Sequence, residues 1–216
     1  MKKTEWTEQD TAVLAERVKP YLTEKRYVHT LAVANEAKKL GAVYLPKKIA
    51  KLQAAALLHD ITKKADLKKQ LQYCEEFGII VKPDDLLSPS VFHARTAEAL
   101  AARDFSDLVD DEILAGVRWH TTGHADMTVF EAIIYLADYI EETRDFDDCV
   151  KVRSFFYDHI AKGTDPIKVL RDTMIYSFDC TITLLLEEGA VVDSDTICAR
   201  NFYIAQKKDC SNKERE

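Results

Sequence analysis

Glycine and proline are scarce in this chain, at 6 and 5 of 216 residues. So few backbone breakers argue against a turn-rich β-sandwich and for helices. The five cysteines, at 74, 149, 180, 198 and 210, are odd in number and nowhere spaced as CxxC. That pattern argues against a disulfide framework and a thiolate zinc site, and it fits a reducing cytoplasm. Long apolar runs are also missing. The longest aliphatic stretch, around Ile182 to Leu186, is far too short to cross a bilayer, and the N-terminal MKKTEWTEQDTAVL has neither an apolar centre nor a cleavage site. A cytoplasmic location without membrane association is therefore expected. Finally, there is no excess of basic charge. The net charge of −7 argues against a nucleic-acid partner.

What is present is apolar material in helical rhythm. Hydrophobic residues make up 47% of the chain, enough for one domain with a sizeable core. A first helix is expected from Thr7 or Asp10, with Val13, Leu14, Val18 and Leu22 on one face. A second spans about 25–40, with Val28, Leu31, Ala32 and Leu40 inward and Gly41 as its stop. Pro46 opens a third, IAKLQAAALLHD, apolar nearly all round and hence central. Asp66 and Gly78 bracket a polar helix, and others are expected over about 91–103 and from Asp110 or Asp111 to His120. Thr128 and Glu131 have capping-box spacing before FEAIIYLADYIEE, a second very apolar helix. An acidic stretch, DFDD, follows Arg144; Thr164, Asp165 and Pro166 then start a helix to about Glu188, and a last one covers about 195–207 before a frayed charged tail. The fold expected is all-α and the organisation a single domain over 1–216: a core at about 20–145, and C-terminal helices at about 150–207 packing on it.

The polar residues with most chemical information lie on the least polar helices. His59 and Asp60 follow the run AAALL, and Asp138 follows IIYLA. An ionised carboxylate at such a place is costly unless it is paired or metal-bound. His29, His59, His93 and His120 stand on four different expected helices. A single histidine on an apolar face is more often a hydrogen-bonded core residue, and an isolated His-Asp pair proves little. Order and context carry more weight: RYVHT, LLHDITK, FHA, WHTTG, YLADYIE. Mixed imidazole and carboxylate donors suit iron, manganese, cobalt, nickel or zinc better than calcium. His124, in a polar loop, is expected to be solvated, and His159 to be structural or exposed.

RYVHT at 26–30, His59-Asp60 and the later Asp138 resemble the HD superfamily of metal-dependent phosphohydrolases. The fuller set resembles its bacterial YqeK family, whose members hydrolyse symmetrical dinucleoside tetraphosphates. The matching pieces are Glu24 to Thr30, His59-Asp60 with Lys63, His93-Ala94, His120 to Gly123, and Ala137 to Glu141 with Arg144. The resemblance implies an HD-type helical bundle with an iron centre of one or two ions, or manganese, cobalt or nickel in its place. It implies His29, His59, Asp60 and Asp138 as ligands. His93 and His120 would hold a second metal, or instead bind water or substrate phosphates. The sequence departs from the family after Asp138-Tyr-Ile-Glu, where Glu142 and Thr143 replace the usual Pro-Asn pair and Asp147-Asp148 a Pro-Gly. That difference bears on loop shape and base contacts rather than on the metal site. A homodimer is common among related enzymes.

The implied reaction is attack of metal-bound hydroxide on a phosphorus of the tetraphosphate bridge, giving two nucleoside diphosphates. A metal can lower the pKa of its water from about 15.7 to roughly 7. Arg26 lies one turn before His29, Lys63 follows Asp60 and Arg144 follows Asp138, so these three are expected to contact phosphate. Two other readings are open. One is a different HD enzyme, a deoxynucleotide triphosphohydrolase or a phosphodiesterase. The other is a non-catalytic nucleotide-binding regulator.

Overall fold

Side-chain oxygens start most of the long helices. Thr7, Thr23, Asp66, Asp110, Thr128 and Asp165 each accept a bond from the backbone N–H three residues on. Each satisfies a donor that a helix N-terminus leaves unpaired. The computed structural model describes residues 5–213, and among them are ten α-helices and no strand. These are α1 (Glu8–Val18), α2 (Glu24–Tyr44), α3 (Ile49–Leu58), α4 (Leu67–Phe77), α5 (Phe92–Asp104), α6 (Asp111–Trp119), α7 (Val129–Ile140), α8 (Asp147–Ala161), α9 (Pro166–Glu187) and α10 (Ser194–Lys213). The all-α expectation holds. No helix among the described residues is long and apolar enough to cross a membrane.

Helix α3 is the axis of the molecule. Leu52 and Ala54 to Leu58 are buried without a break, and α1, α2, α6 and α7 all pack against it. Its alanines let neighbours approach on every side, which suits an element with no solvent face. Helix α7 is the second buried element, continuous from Phe130 to Ala137. Helix α8 packs on α7 and α9, and α10 on α9, within one hydrophobic cluster that reaches from Leu14 to Tyr203.

Several sequence expectations need correction. Helix α2 does not stop at Gly41 but runs three residues further, with Leu45 N–H bonded to the Gly41 carbonyl. Gly41 is there for close approach, because a Cβ on it would lie 2.7 Å from Leu52 Cδ1. Val28 and Leu31 are exposed, and the buried face of α2 consists of Val33, Ala34, Ala37, Leu40 and Gly41, mostly small residues. Val13 likewise faces outward from α1. Helix α8 starts inside the acidic stretch that gave no helix signal; Asp147 and Asp148 occupy its first turn, where negative charge is favourable, and Cys149, Val152 and Phe156 supply the buried stripe. Helix α10 continues to Lys213, beyond the tail's expected start, while residues 214–216 lie outside the described residues. Cys74, Cys149, Cys180 and Cys198 are free thiols.

Candidate metal centre

Five helices deliver their ends or first turns to one place. His29 comes from the second turn of α2, His59 caps α3 with Asp60 next to it, and His93 lies in the first turn of α5. His120 caps α6 and Asp138 comes from the last turn of α7. Three of the rings are held by their own helices. His59 Nδ1 bonds the Ala56 carbonyl, His93 Nδ1 that of Ser90 and His120 Nδ1 that of Val117, each at 2.6 Å. A carbonyl can only accept, so each Nδ1 carries the proton and each Nε2 presents a lone pair. His29 is held differently, with Nδ1 at 3.1 Å from Glu141 Oε1.

Asp60 stands between two sets of these nitrogens. Its Oδ2 lies 3.5 Å from His59 Nε2 and 3.9 Å from His29 Nε2. Its Oδ1 lies 3.3 Å from His93 Nε2 and 3.7 Å from His120 Nε2. Asp138 Oδ1 is 3.1 Å from His29 Nε2 and 3.8 Å from His59 Nε2. Two overlapping triads result, His29-His59-Asp138 and His59-Asp60-His120, each with donor atoms within 4.8 Å of one another. The Nε2 atoms of His29 and His59 are buried and have no hydrogen-bond partner. Buried nitrogens left unsatisfied beside two carboxylates fit a divalent cation, and neutral imidazole with carboxylate is a transition-metal donor set.

The electrostatics agree. Burial alone would raise the Asp60 carboxyl, but His59, His120 and His93 hold it well below the usual carboxylate range. Asp138 is partly buried, and Arg144 and His29 keep it well below that range. Burial, then the charge of Lys63, push His93 well below its ordinary value, and burial lowers His120 as well. Both rings are therefore neutral, as metal ligands must be. His29 is opposed by burial, yet the Asp138 carboxylate facing Nε2 and the bond to Glu141 push it up to about 9. A proton there does what a cation would do, balancing two carboxylates.

The cationic residues expected from the sequence gather at the same place. Arg26 Nη1 lies 2.9 Å from Asp60 Oδ2, and Arg144 Nη2 lies 2.7 Å from Asp138 Oδ1. Lys63 Nζ sits 3.2 Å from His93 Nε2, and burial lowers its ammonium. Two further groups join the cluster. Glu141 holds His29, is itself fixed by Thr143 N–H at 2.6 Å and Thr143 Oγ1 at 2.7 Å, and was one acid among several in EETRDFDD. Its signal was position, one helical turn after Asp138. Thr121 Oγ1 lies 3.1 Å from His93 Nε2. His124 is only partly exposed, bonded to Glu131 Oε1 at 3.1 Å, and His159 Nδ1 bonds the Phe155 carbonyl.

The cluster is reached from one side. The side chains of His29 and Asp138 are 12% and 17% exposed, against 3% for Asp60. A cleft of about 620 Å³ opens there, between the start of α2 and the turn that follows α7.

The HD domain family matches residues 26–143, which contain all four imidazoles and both carboxylates of the cluster. The chain is 34% identical to the symmetrical bis(5'-nucleosyl)-tetraphosphatase of Halalkalibacterium halodurans over 88% of this chain and 95% of that one. It is 32% identical to the enzyme of the same name from Bacillus subtilis, over 87% and 94%. A crystal structure from Clostridium acetobutylicum, described as a "predicted HD superfamily hydrolase involved in NAD metabolism", superposes with a TM-score of 0.78 at 28% identity, covering 94% of this chain and 99% of that one. Geometry, family match and relatives agree: the chain belongs to the HD domain family of metal-dependent hydrolases, alongside the symmetrical bis(5'-nucleosyl)-tetraphosphatases.

Proposed function

We propose that this chain is a symmetrical bis(5'-nucleosyl)-tetraphosphatase, cleaving substrates such as diadenosine tetraphosphate into two nucleoside diphosphates. One observation carries the reading: the two oxygens of Asp60 face two different pairs of imidazoles. The names of the relatives supply the substrate class. His29, His59, Asp60 and Asp138 are the proposed ligands of iron, with manganese, cobalt or nickel as substitutes. A divalent cation supplies Lewis acidity there, making water more acidic and neutralising phosphoryl charge. His93 and His120, with the second oxygen of Asp60, would hold a second ion or accept from a bound water.

The rest of the work belongs to the chain's own groups. Arg26 and Arg144 each spend one guanidinium nitrogen on a ligand carboxylate, leaving other donors for phosphoryl oxygens. Lys63 adds a compact positive charge beside His93. Water adds to a phosphorus next to the central bridging oxygen, the bond to that oxygen breaks, and one water consumed leaves two diphosphates. Stabilising this transition state is mostly a matter of placing positive groups before charge develops, and the buried cluster does so.

An anaerobic assay of iron-reconstituted protein tests the proposal, comparing wild type with Asp60→Ala and Asp138→Ala. ADP should be the only nucleotide product from diadenosine tetraphosphate, and both variants should lose metal and activity while keeping their helical circular dichroism. Tripolyphosphate from dGTP as the dominant reaction would overturn it, as would turnover by metal-free protein. NAD in the same substrate panel tests the description attached to the Clostridium structure.

A further inference from the structure

Helix α4 supplies no group to the metal centre and adds few residues to the core. Its buried residues are Gln70 and Cys74, and its main helical neighbour is α5. Gln70 is 4% exposed, in a place that an apolar side chain of similar size would fill without the cost of burying an amide. That amide is fully engaged. Its Nε2 donates to the Thr62 carbonyl at 2.8 Å, which fixes the orientation of the group. Oε1 then faces Thr96, whose hydroxyl donates to it at 2.5 Å. With its one proton spent there, Thr96 Oγ1 accepts from Thr62 Oγ1, 2.9 Å away. Thr62 Oγ1 also lies 2.8 Å from the His93 carbonyl, the other acceptor open to its proton. Thr62 and Thr96 are buried as deeply as Gln70, so the network is shut off from water.

The network joins two backbone segments that both supply the cluster. Thr62 sits in the turn between α3 and α4, two residues after Asp60 and next to Lys63, and the Lys63 N–H closes that turn on the Asp60 carbonyl at 2.9 Å. Thr96 lies three residues after His93, near the start of α5. Across the join, Asp60 Oδ1 stands 3.3 Å from His93 Nε2, and Lys63 Nζ stands 3.2 Å from the same atom. A buried network whose members are all satisfied holds the segments it joins in one relative placement. We propose that Gln70 is a positioning residue of the metal centre: through Thr62 and Thr96 it sets the separation of Asp60 from His93, and so the shape of the half that Asp60 Oδ1 faces. Its own bonds go to Thr62 and Thr96 alone. The inference rests on the reading of the cluster as a metal centre.

Three substitutions test it. Gln70→Leu keeps the bulk and removes both polar atoms, Thr96→Val keeps the shape and removes the hydroxyl, and Thr96→Ser keeps the hydroxyl. The readouts are cobalt titration followed in the visible spectrum, and crystal structures of the metal-free proteins. Cobalt affinity should fall about tenfold in Gln70→Leu and in Thr96→Val, with an altered d–d spectrum, and remain at the wild-type level in Thr96→Ser. The double variant Gln70→Leu/Thr96→Val should bind no more weakly than either single one, because each change breaks the same network. In the crystals the Asp60–His93 separation should lengthen in Gln70→Leu and Thr96→Val only. Unchanged cobalt affinity and spectrum in those two variants overturn the proposal. So does a loss in Thr96→Ser as large as in Thr96→Val, or losses that add in the double variant, since these mark packing rather than placement. If Gln70→Leu does not fold, the two Thr96 variants decide. Wild-type protein that takes up no cobalt would sink the metal reading instead, and the crystal separations then decide the positioning role by themselves.

Discussion

At the scale of single residues, the cluster divides into rings held by their own helices and one ring held by a distant acid. Glu141 is therefore expected to matter more than an ordinary surface carboxylate. It is buried and fixes His29 at 3.1 Å. Partners of this kind typically contribute 10–100-fold to metal affinity, about 1.4–2.7 kcal/mol. Glu141→Ala should lower metal affinity by about that factor in a competitive titration, and Glu141→Gln, which can still accept from Nδ1–H, should recover part of it. Equal affinity in wild type and Glu141→Ala would remove the role. The cluster was legible because a His-Asp pair and a lone Asp ended the two most apolar helices, and charge in such a place needs a partner. Glu141 was not legible as a partner because one acid in an acidic run looks like its neighbours.

At the scale of elements, small residues and caps decide how the helices meet. Gly123 has φ +63, and a Cβ on it would lie 2.8 Å from Phe178 Cζ and 3.0 Å from Met127 Sδ. Gly123→Ala combines left-handed strain with overpacking and should cost about 2–4 kcal/mol, read as a fall in Tm of roughly 4–16 °C. A second anchor joins α3 to the start of α6. Lys51 Nζ lies 2.6 Å from both Asp110 Oδ2 and Glu112 Oε2, and Lys48 Nζ lies 2.6 Å from Glu112 Oε1. Burial opposes both acids, but bonds to Lys51 and Lys48 hold them below their ordinary values. Their contribution is thus full above the unfolded carboxylate range, near about 4, and is lost as the pH falls through the lower folded values. Lys51→Ala should cost about 1 kcal/mol in urea melts at pH 7, allowing for solvent screening, with the difference from wild type closing towards pH 3. A constant difference across that range would show that the carboxylates are not involved. The lengths of α4 and α7 could be read from their caps, since Asp66, Thr128 and Gly78 act locally. The buried face of α2 could not, because Ala34, Ala37 and Gly41 carry little hydrophobic signal, and α8 was hidden by an acidic first turn that a helix N-terminus favours.

At the scale of the whole molecule, the candidate ligands tie together helices that also form the core. His29 and Asp138 belong to α2 and α7, which pack on each other and on α3. A cation bound to the native state alone stabilises it by roughly 2.7 kcal/mol at a hundredfold excess over Kd. Removing the metal with a chelator should therefore lower Tm by roughly 5–11 °C, and Asp138→Asn protein should show no such response. An unchanged Tm in the wild type would mean that the helices hold one another without the ion. The three imidazoles bonded to carbonyls three residues behind them inherit their direction from α3, α5 and α6, so that side of the centre is as stiff as the bundle itself. His29 is the exception, leashed to the end of another helix, and its side chain is also among the parts that solvent can touch. The side of the centre that solvent reaches is thus the one whose ring is positioned from the end of a second helix rather than by its own.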